Sequence, residues 1–391
     1  MAFMRSKYLC SALVLLASLT LSLPVLALDP QPVRLGDSLK FEPTLQVSER
    51  YDDNFRAVDS GKESSWITRI APTFSLGQEG RKAAYKVSYT ADSDIFHSSR
   101  KDDNTDHHFS AKGAAEFNDR QRLRLNMSYD RTEETASQYP TIANDKITNF
   151  QLGGVYTYGA RTARLQVEMA PNYSSIRYRN ANGLNDDKEY DSPSLRSTVF
   201  YRVAPKTRLL AEARYAHFKY VSYDLRNNDT VAYLGGVEWI ASEMTSATIK
   251  LGAEQKRFEQ SGIETKNGTM WEVGAKWSPR TYSTFRLNSR QELDEGDEGP
   301  ASSVKAQTWS AGWEHKWLER FRTDLGYRHA NHTYQDYGRE DVLDGYSIGA
   351  KYAMRRWLDL GVRFEHVTND STIQTESYKR NILVFSINSS L

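Results

Sequence analysis

Residues 122–130 read RLRLNMSYD, and this short stretch decides the fold class. Apolar and polar side chains alternate along it, so that Leu123 and Leu125 share one face. A period of two places successive side chains on opposite faces of a β-strand, whereas a helix needs a period near 3.6. The same alternation recurs in blocks across 41–391, for example at 358–365. The sequence therefore predicts an all-β protein.

The connections between these blocks come in two lengths. Short turns, as at 118–121 and 278–281, alternate with longer polar loops, as at 132–146 and 292–303. Counting both kinds predicts about eighteen strands, each using roughly twenty residues together with its connection. Short turns at one end and long loops at the other are typical of outer-membrane barrels, whose short turns lie in the periplasm.

Strand length and aromatic placement favour a membrane barrel. The predicted strands run about 9–12 residues, which matches a tilted crossing of the bilayer. Most tryptophans lie near strand ends, where they suit the membrane interfaces. They are Trp66, Trp239, Trp271, Trp277, Trp309 and Trp357. Because every backbone group in lipid needs a partner, a sheet there must close. We predict a transmembrane antiparallel up-and-down β-barrel. A soluble sandwich array or propeller is the alternative, although no blade-like repeat occurs.

Composition excludes several other classes of protein. The 391 residues carry 51 Lys and Arg against 50 Asp and Glu, so the chain is not a globally basic nucleic-acid binder. Its one cysteine, Cys10, excludes a disulfide framework, a Cys-rich zinc site and a thiol redox pair. After residue 27 no apolar run is long enough for a transmembrane helix.

The N-terminus predicts export. Arg5 and Lys7 precede an apolar stretch at 9–23, and Pro24 is followed by small residues ending at Ala27. This pattern is typical of a Sec-type signal peptide over 1–27, with an uncleaved anchor helix as the alternative. Residues 28–40 are then a short periplasmic linker and 41–391 the barrel. The predicted location is the outer membrane of a Gram-negative bacterium.

The polar row of each strand would face the lumen of such a barrel, and this row is rich in arginine. The candidate lumen-lining basic residues are Arg122, Arg124, Arg164, Arg202, Arg208, Arg214, Arg286, Arg290, Arg322, Arg328 and Arg363. A positive potential in an aqueous passage favours anionic solutes. The alternative is that these arginines pair with lumen carboxylates and only stiffen the wall. A one-residue slip in register would exchange the two faces.

Two polar segments are candidates for cation or sugar contacts. The loop at 292–298 is acidic, and we expect a solvated charged loop there rather than a divalent-cation site. Tyr51, Asp52, Asp53 and Asn54 leave the first strand together. They predict either a cation or sugar contact at the loop mouth or, more simply, a turn in which Asp and Asn satisfy their own backbone.

No constellation for catalysis, cofactor binding or metal binding emerges from the sequence. Outer-membrane barrels include enzymes, and His329 with His332 has a spacing that allows part of an acid–base or metal site. Rim histidines on a wet surface are the simpler interpretation. We predict that the protein is not an enzyme and uses no cofactor.

The first strand and its loop carry a family resemblance. Residues 41–55 read FEPTLQVSERYDDNF, and a first strand that enters a Tyr-Asp-Asp-Asn-aromatic loop resembles the putative β-barrel porin 2 family. The turn WSPRT at 277–281 is similar to turns of that family. The resemblance covers about 40–391. It implies a pore for polysaccharide secretion, because the family includes outer-membrane proteins encoded with exopolysaccharide biosynthesis systems. It brings no catalytic residues.

The resemblance also implies partners. A periplasmic polysaccharide-export protein would work beside the barrel, and the polysaccharide would be its substrate. The chain ends FSINSSL at 385–391, which is similar to the recognition signal of the barrel-assembly machinery, although that signal most often ends in Phe. Outer-membrane lipid and lipopolysaccharide complete the predicted surroundings. A general or anion-selective diffusion porin is the alternative function, but the loops are similar in length and none is an obvious constriction loop.

Overall fold

The computed structural model describes residues 32–36, 38–135, 144–296, 303–335 and 337–390. Several predictions lie outside these residues: the signal peptide at 1–27, the start of the linker at 28–31, the acidic residues Asp297 and Glu298, and the terminal Leu391.

One sheet contains the 19 strands of the described residues. The strands are β1 (Val33–Leu35), β2 (Leu39–Asp52), β3 (Ser65–Glu79), β4 (Ala83–Phe96), β5 (Asn104–Asn118), β6 (Gln121–Glu134), β7 (Asp145–Tyr158), β8 (Leu165–Tyr178), β9 (Tyr190–Ala204), β10 (Thr207–Tyr220), β11 (Asn228–Ser242), β12 (Thr245–Phe258), β13 (Lys266–Arg280), β14 (Ser283–Glu295), β15 (Ser303–Leu318), β16 (Phe321–Tyr334), β17 (Arg339–Arg355), β18 (Leu358–Ser371) and β19 (Tyr378–Ser390). Short 3-10 turns lie in some of the longer loops. Among the described residues, no helix is long and apolar enough to cross a membrane.

The strands from β2 to β19 close an antiparallel barrel, so the predicted fold and the count of eighteen are confirmed. Each strand pairs with the next in sequence, and β19 closes the ring by pairing with β2 from Ile382↔Asp52 to Ser390↔Thr44. β19 does not pair with the residues of β2 that precede Thr44. There β1 pairs with β2 instead, with Val33 opposite Phe41. The linker therefore contains a short strand that the sequence did not predict.

Most strands are longer than predicted. They run 13–17 residues rather than about 9–12, because they continue past the membrane at the end with the long loops. The predicted loop at 132–146 narrows accordingly, since β6 reaches Glu134 and β7 begins at Asp145. We assign the long-loop end to the cell exterior and the short-turn end to the periplasm.

The two faces of the wall differ in chemistry. Large apolar side chains lie exposed on the convex face around the barrel, with Leu125 51% and Leu287 44% exposed. A continuous apolar band of this kind is the surface that a membrane barrel presents to lipid. Tryptophans border it, with Trp277 near the periplasmic turns and Trp271 nearer the exterior. The concave face is polar and contains the candidate site.

Candidate functional site: the charged lumen

Ion pairs that bridge non-adjacent strands identify the inner face. Arg363 on β18 contacts Asp324 on β16 at 2.7 Å, across the intervening β17. Lys250 on β12 similarly contacts Glu212 on β10 at 3.0 Å, across β11. The strand register places the polar rows of the remaining strands on this same face.

The predicted basic residues lie on the inner row with one exception. Those on it are Arg122, Arg124, Arg202, Arg208, Arg214, Arg286, Arg290, Arg322, Arg328 and Arg363. Arg164 precedes β8 and is exposed, and its guanidinium lies 5.1 Å from the ring centroid of Tyr201, an exposed residue of the outer row. The prediction for Arg164 is wrong because the alternation was extended past the strand into the turn.

A four-membered network covers the inner wall from β10 to β13. Arg214 contacts Glu272 at 2.7 Å and also pairs with Glu212. Lys250 lies 3.0 Å from each of the same two carboxylates. Two cations and two anions alternate in this square, so their charges cancel locally. On this wall, the stiffening interpretation of the arginines describes the contacts well.

The wall from β14 to β16 also places its arginines near acids. Arg286 and Arg322 approach the same carboxylate, that of Glu314, at 3.8 and 4.0 Å. Arg290 contacts Glu292 at 3.0 Å. Arg328 lies on the inner row opposite Ser310. Arg286, Arg290 and Arg322 therefore stand beside acids that compensate part of their charge.

The wall from β5 to β11 differs, because cations cluster there at the periplasmic end. They surround a cavity of about 570 Å³ that we call the basic pocket. Its basic residues are Arg122, Arg124, Arg161, Arg202, Lys206 and Arg208, and its acids are Glu116 and Glu168. Cations outnumber acids, so the pocket has a positive potential.

Two cations of the basic pocket are open to solvent. Arg124 and Lys206 are exposed, and within the described residues neither side chain makes an ion pair or a hydrogen bond. The others are engaged. Arg161 pairs with Glu116, and Arg208 with Glu238. Arg202 donates to the carbonyl oxygens of Arg161, Ala163 and Pro205 and so fastens the turns. Arg124 and Lys206 are therefore the two cations of the pocket whose side chains are free to contact an anion.

The extracellular end of β14 separates from β13 but stays paired with β15 as far as Glu295↔Ser303, which the sequence did not predict. Its pairing with β13 stops at Trp271↔Gln291, although β13 extends to Lys266. We call residues 292–295 the inward segment. The backbone N–H of Leu293 donates to Glu254 Oε1 on β12 at 2.7 Å, so the segment crosses the inner surface of β13. A Cβ at Gly268 would lie 3.0 Å from Leu293 Cγ, and glycine allows this close approach.

A buried ion pair holds the inward segment. Lys256, which is 0% exposed, donates to Glu295 Oε1 at 2.6 Å and to the carbonyl of Asp294 at 2.9 Å. Tyr220 Oη and Asn228 Nδ2 donate to Glu295 Oε2 at 2.8 and 3.0 Å. The acidic stretch expected to be a solvated loop is, at 292–295, a docked part of β14. Its signal in the sequence was Leu293, an apolar residue among acids.

The Tyr51–Asn54 cluster fastens the first strand to the last. Asp52 is 0% exposed and accepts from Arg380 Nε at 2.9 Å. Asp53 accepts from the backbone N–H of Asn381 at 2.7 Å, and Asn54 donates to the carbonyls of Val58 and Lys379. Tyr51 is exposed against the Trp66 ring. This placement favours the turn interpretation, extended by a closing role that depends on the distant Arg380.

The histidines do not converge on a catalytic centre. His329 lies on the outer row, 3.0 Å from Asp344, whereas His332 lies on the inner row, so the two do not form one site. Of the described residues, His217, Asp229 and Glu259 alone bring three possible metal ligands together. They lie on the outer row at the extracellular end, away from the lumen.

An eighteen-stranded barrel with an apolar outer band and a charged lumen defines the class of outer-membrane β-barrel pores. The family model described as "Putative beta-barrel porin 2" matches residues 27–390. The chain therefore belongs to that family, as the resemblance of the first strand suggested, and it is an outer-membrane porin. Porins are channels, which agrees with the prediction that the chain is not an enzyme.

Two solved structures from Pseudomonas aeruginosa are similar to this chain at low sequence identity. The outer membrane protein OpdK from Pseudomonas aeruginosa has a TM-score of 0.48 and 12% identity, covering 91% of this chain and 100% of its own. OccK2 (OpdF) of the same organism, solved in complex with glucuronate, has a TM-score of 0.47 and 11% identity, covering 90% of this chain and 98% of its own. Comparison with the curated proteins gives no match.

Proposed function

We propose that this porin secretes an acidic exopolysaccharide across the outer membrane, with the cargo entering from the periplasm. The observation that carries the proposal is the basic pocket, which places the exposed cations Arg124 and Lys206 at the periplasmic end of the lumen. A cluster of positive charge in a confined aqueous mouth raises the local concentration of anions. A cargo made in the cell meets this end first.

The proposal includes partners and a route. A periplasmic polysaccharide-export protein delivers the polymer to the periplasmic mouth, as the family resemblance implies. The chain reaches the outer membrane after Sec-type export and cleavage near Ala27, and β19 is the strand that the barrel-assembly machinery recognises. Lipopolysaccharide surrounds the extracellular half of the barrel.

Deletion in the native host tests this function. The deletion strain is expected to retain exopolysaccharide in the periplasm and lose it from the surface, while uptake of small solutes stays normal. Complementation with the wild-type chain restores secretion. The double variant Arg124→Gln/Lys206→Gln restores it poorly, because it removes the two open charges of the pocket. Normal secretion by the deletion strain would reject the proposal.

A diffusion porin for small anions is the second candidate. The inward segment favours it, because a strand end folded into the lumen narrows the passage, as a size filter for small solutes requires. In that case the deletion strain secretes polymer normally but takes up small anions more slowly. The two readouts in one strain separate the candidates.

A further inference from the structure

The lumen changes the sign of its charge along its axis. The periplasmic end is positive at the basic pocket, and further exposed cations stand just above it. Lys112 is one of these, and Arg196 lies higher on the inner row, opposite Arg214; neither makes an ion pair among the described residues. The middle of the wall is close to neutral at the network of β10 to β13.

The extracellular end is acidic on the wall from β4 to β6. Asp92, Asp94, Asp106 and Asp130 all lie on its inner row, and Asp92 and Asp106 are direct neighbours across the strands. Arg69 and Arg50 contact Asp92 and Asp94. In the part of the chain that the structure describes, Asp106 and Asp130 have no lysine or arginine partner: Asp106 accepts the backbone N–H of Glu133, and Asp130 contacts His108.

The opposite wall is acidic at the same height. The inward segment contributes Glu292, Asp294 and Glu295, and Glu254 lies beside it. Lys256 and Arg290 contact Glu295 and Glu292, and Lys266 lies opposite Lys256 on the inner row, so this wall has four acids against three cations. Acids therefore exceed cations on both sides of the extracellular lumen.

We infer that the porin is sided: its periplasmic mouth selects anions and its extracellular mouth selects cations. Each mouth concentrates ions of the opposite charge. A voltage that is negative on the periplasmic side drives anions in through the basic end and cations in through the acidic end, so mobile ions accumulate. The reverse voltage depletes them. The pore therefore passes more current with the periplasmic side negative.

Planar-bilayer recordings with known insertion direction test this inference. At about 0.1 M KCl, where the Debye length is about 10 Å, the larger current is expected to exceed the smaller by about twofold. At about 1 M KCl the length falls to about 3 Å, and the currents are expected to become equal. An asymmetry that persists unchanged at high salt, the opposite polarity, equal currents at low salt or no conductance would each overturn the inference.

Matched variants assign the effect to the acidic end. Asp106→Asn/Asp130→Asn removes two charges of the wall from β4 to β6 but keeps an amide oxygen for the Glu133 backbone N–H and for His108. This double variant is expected to lose most of the asymmetry. Asp229→Asn removes a charge at the same height on the outer face and leaves the asymmetry intact. An unchanged asymmetry in the double variant would contradict the inference.

The inference goes beyond the proposed function and is tested with KCl alone. If the current is asymmetric but the deletion strain still secretes polymer, the proposed cargo is rejected and the charge asymmetry of the pore stands. If the current is symmetric but the deletion strain fails to secrete polymer, the proposed cargo stands and the charge asymmetry is rejected.

Discussion

The inward segment and the basic pocket use the same kinds of side chain in opposite ways. Lys256 in the first is 0% exposed and has two acceptors at 2.6 and 2.9 Å, whereas Lys206 in the second is exposed and contacts no described acid. A buried charge needs its partner, because an unpaired ion in a dry site is strongly unfavourable. An exposed charge is free to meet a passing ion. Burial and pairing, rather than residue type, separate structural from functional cations in this lumen.

The largest expected effect is at the inward segment. Lys256→Met leaves Glu295 without its cation, which costs about 3–5 kcal/mol for a buried pair. We expect residues 292–295 to leave the lumen, so that single-channel conductance rises and a cysteine at Leu293 reacts with a water-soluble thiol reagent. Lys351→Met is the control, because it breaks a pair with the buried Asp359 that holds no segment in the lumen. Equal conductance in wild type and Lys256→Met would contradict the docked segment.

The second effect concerns the same strand nearer the periplasm. Leu287 faces lipid, whereas Leu293, six positions on, faces the inner surface of β13. Leu287→Arg is expected to lower the free energy of unfolding in lipid by roughly 2–4 kcal/mol, the range for a charge in the membrane interior. The neighbouring Asn288→Arg, on the inner row, serves as the control with little loss. Urea unfolding in vesicles measures both, and equal losses would show that the two faces are assigned wrongly.

The third effect separates two arginines of the basic pocket. Arg202→Gln removes donors from carbonyls that fasten the periplasmic turns, and we expect a loss of about 1–3 kcal/mol. Arg124→Gln is expected to stay within about 0.5 kcal/mol, because it breaks no described contact. Anion selectivity, read from the reversal potential in a salt gradient, should fall in Arg124→Gln. Unchanged selectivity there would remove the distinction between paired and open cations.

The smallest effect is at a half-exposed pair. Arg363 and Asp324 lie 2.7 Å apart with side chains 34% and 21% exposed. Such pairs contribute about 0.2–1 kcal/mol, so Arg363→Gln is expected to shift stability only slightly. A loss near that of Lys256→Met would show that burial does not govern the value of these pairs.

The fold could be predicted from the sequence because the period-two alternation is contained within each strand. The row at 122–130 contains its own evidence for two faces, and the same holds for the strand count. The inward segment could not be predicted from the sequence, because its partners Tyr220, Asn228 and Lys256 lie far away in the chain. The role of Asp52 was hidden for the same reason, since Arg380 is its partner only in the closed barrel.

The sequence predicted an arginine-rich lumen but not which of its arginines have acidic neighbours. The arginine row was visible in the sequence, but nothing in the pattern distinguished paired arginines from unpaired ones. Glu314 lies near both Arg286 and Arg322, and only the fold brings these three together. The open cations are those without such a neighbour, which is a property of the assembled wall.

The most direct test of the account measures flux of a labelled acidic oligosaccharide through oriented proteoliposomes, beside a neutral oligosaccharide of equal length. The account predicts that the acidic chain passes faster when supplied at the periplasmic face. Arg124→Gln/Lys206→Gln should remove that advantage and leave the neutral chain unaffected. Equal rates for the two oligosaccharides in the wild type, or an advantage that survives the double variant, would contradict the claim that the basic pocket receives an anionic cargo.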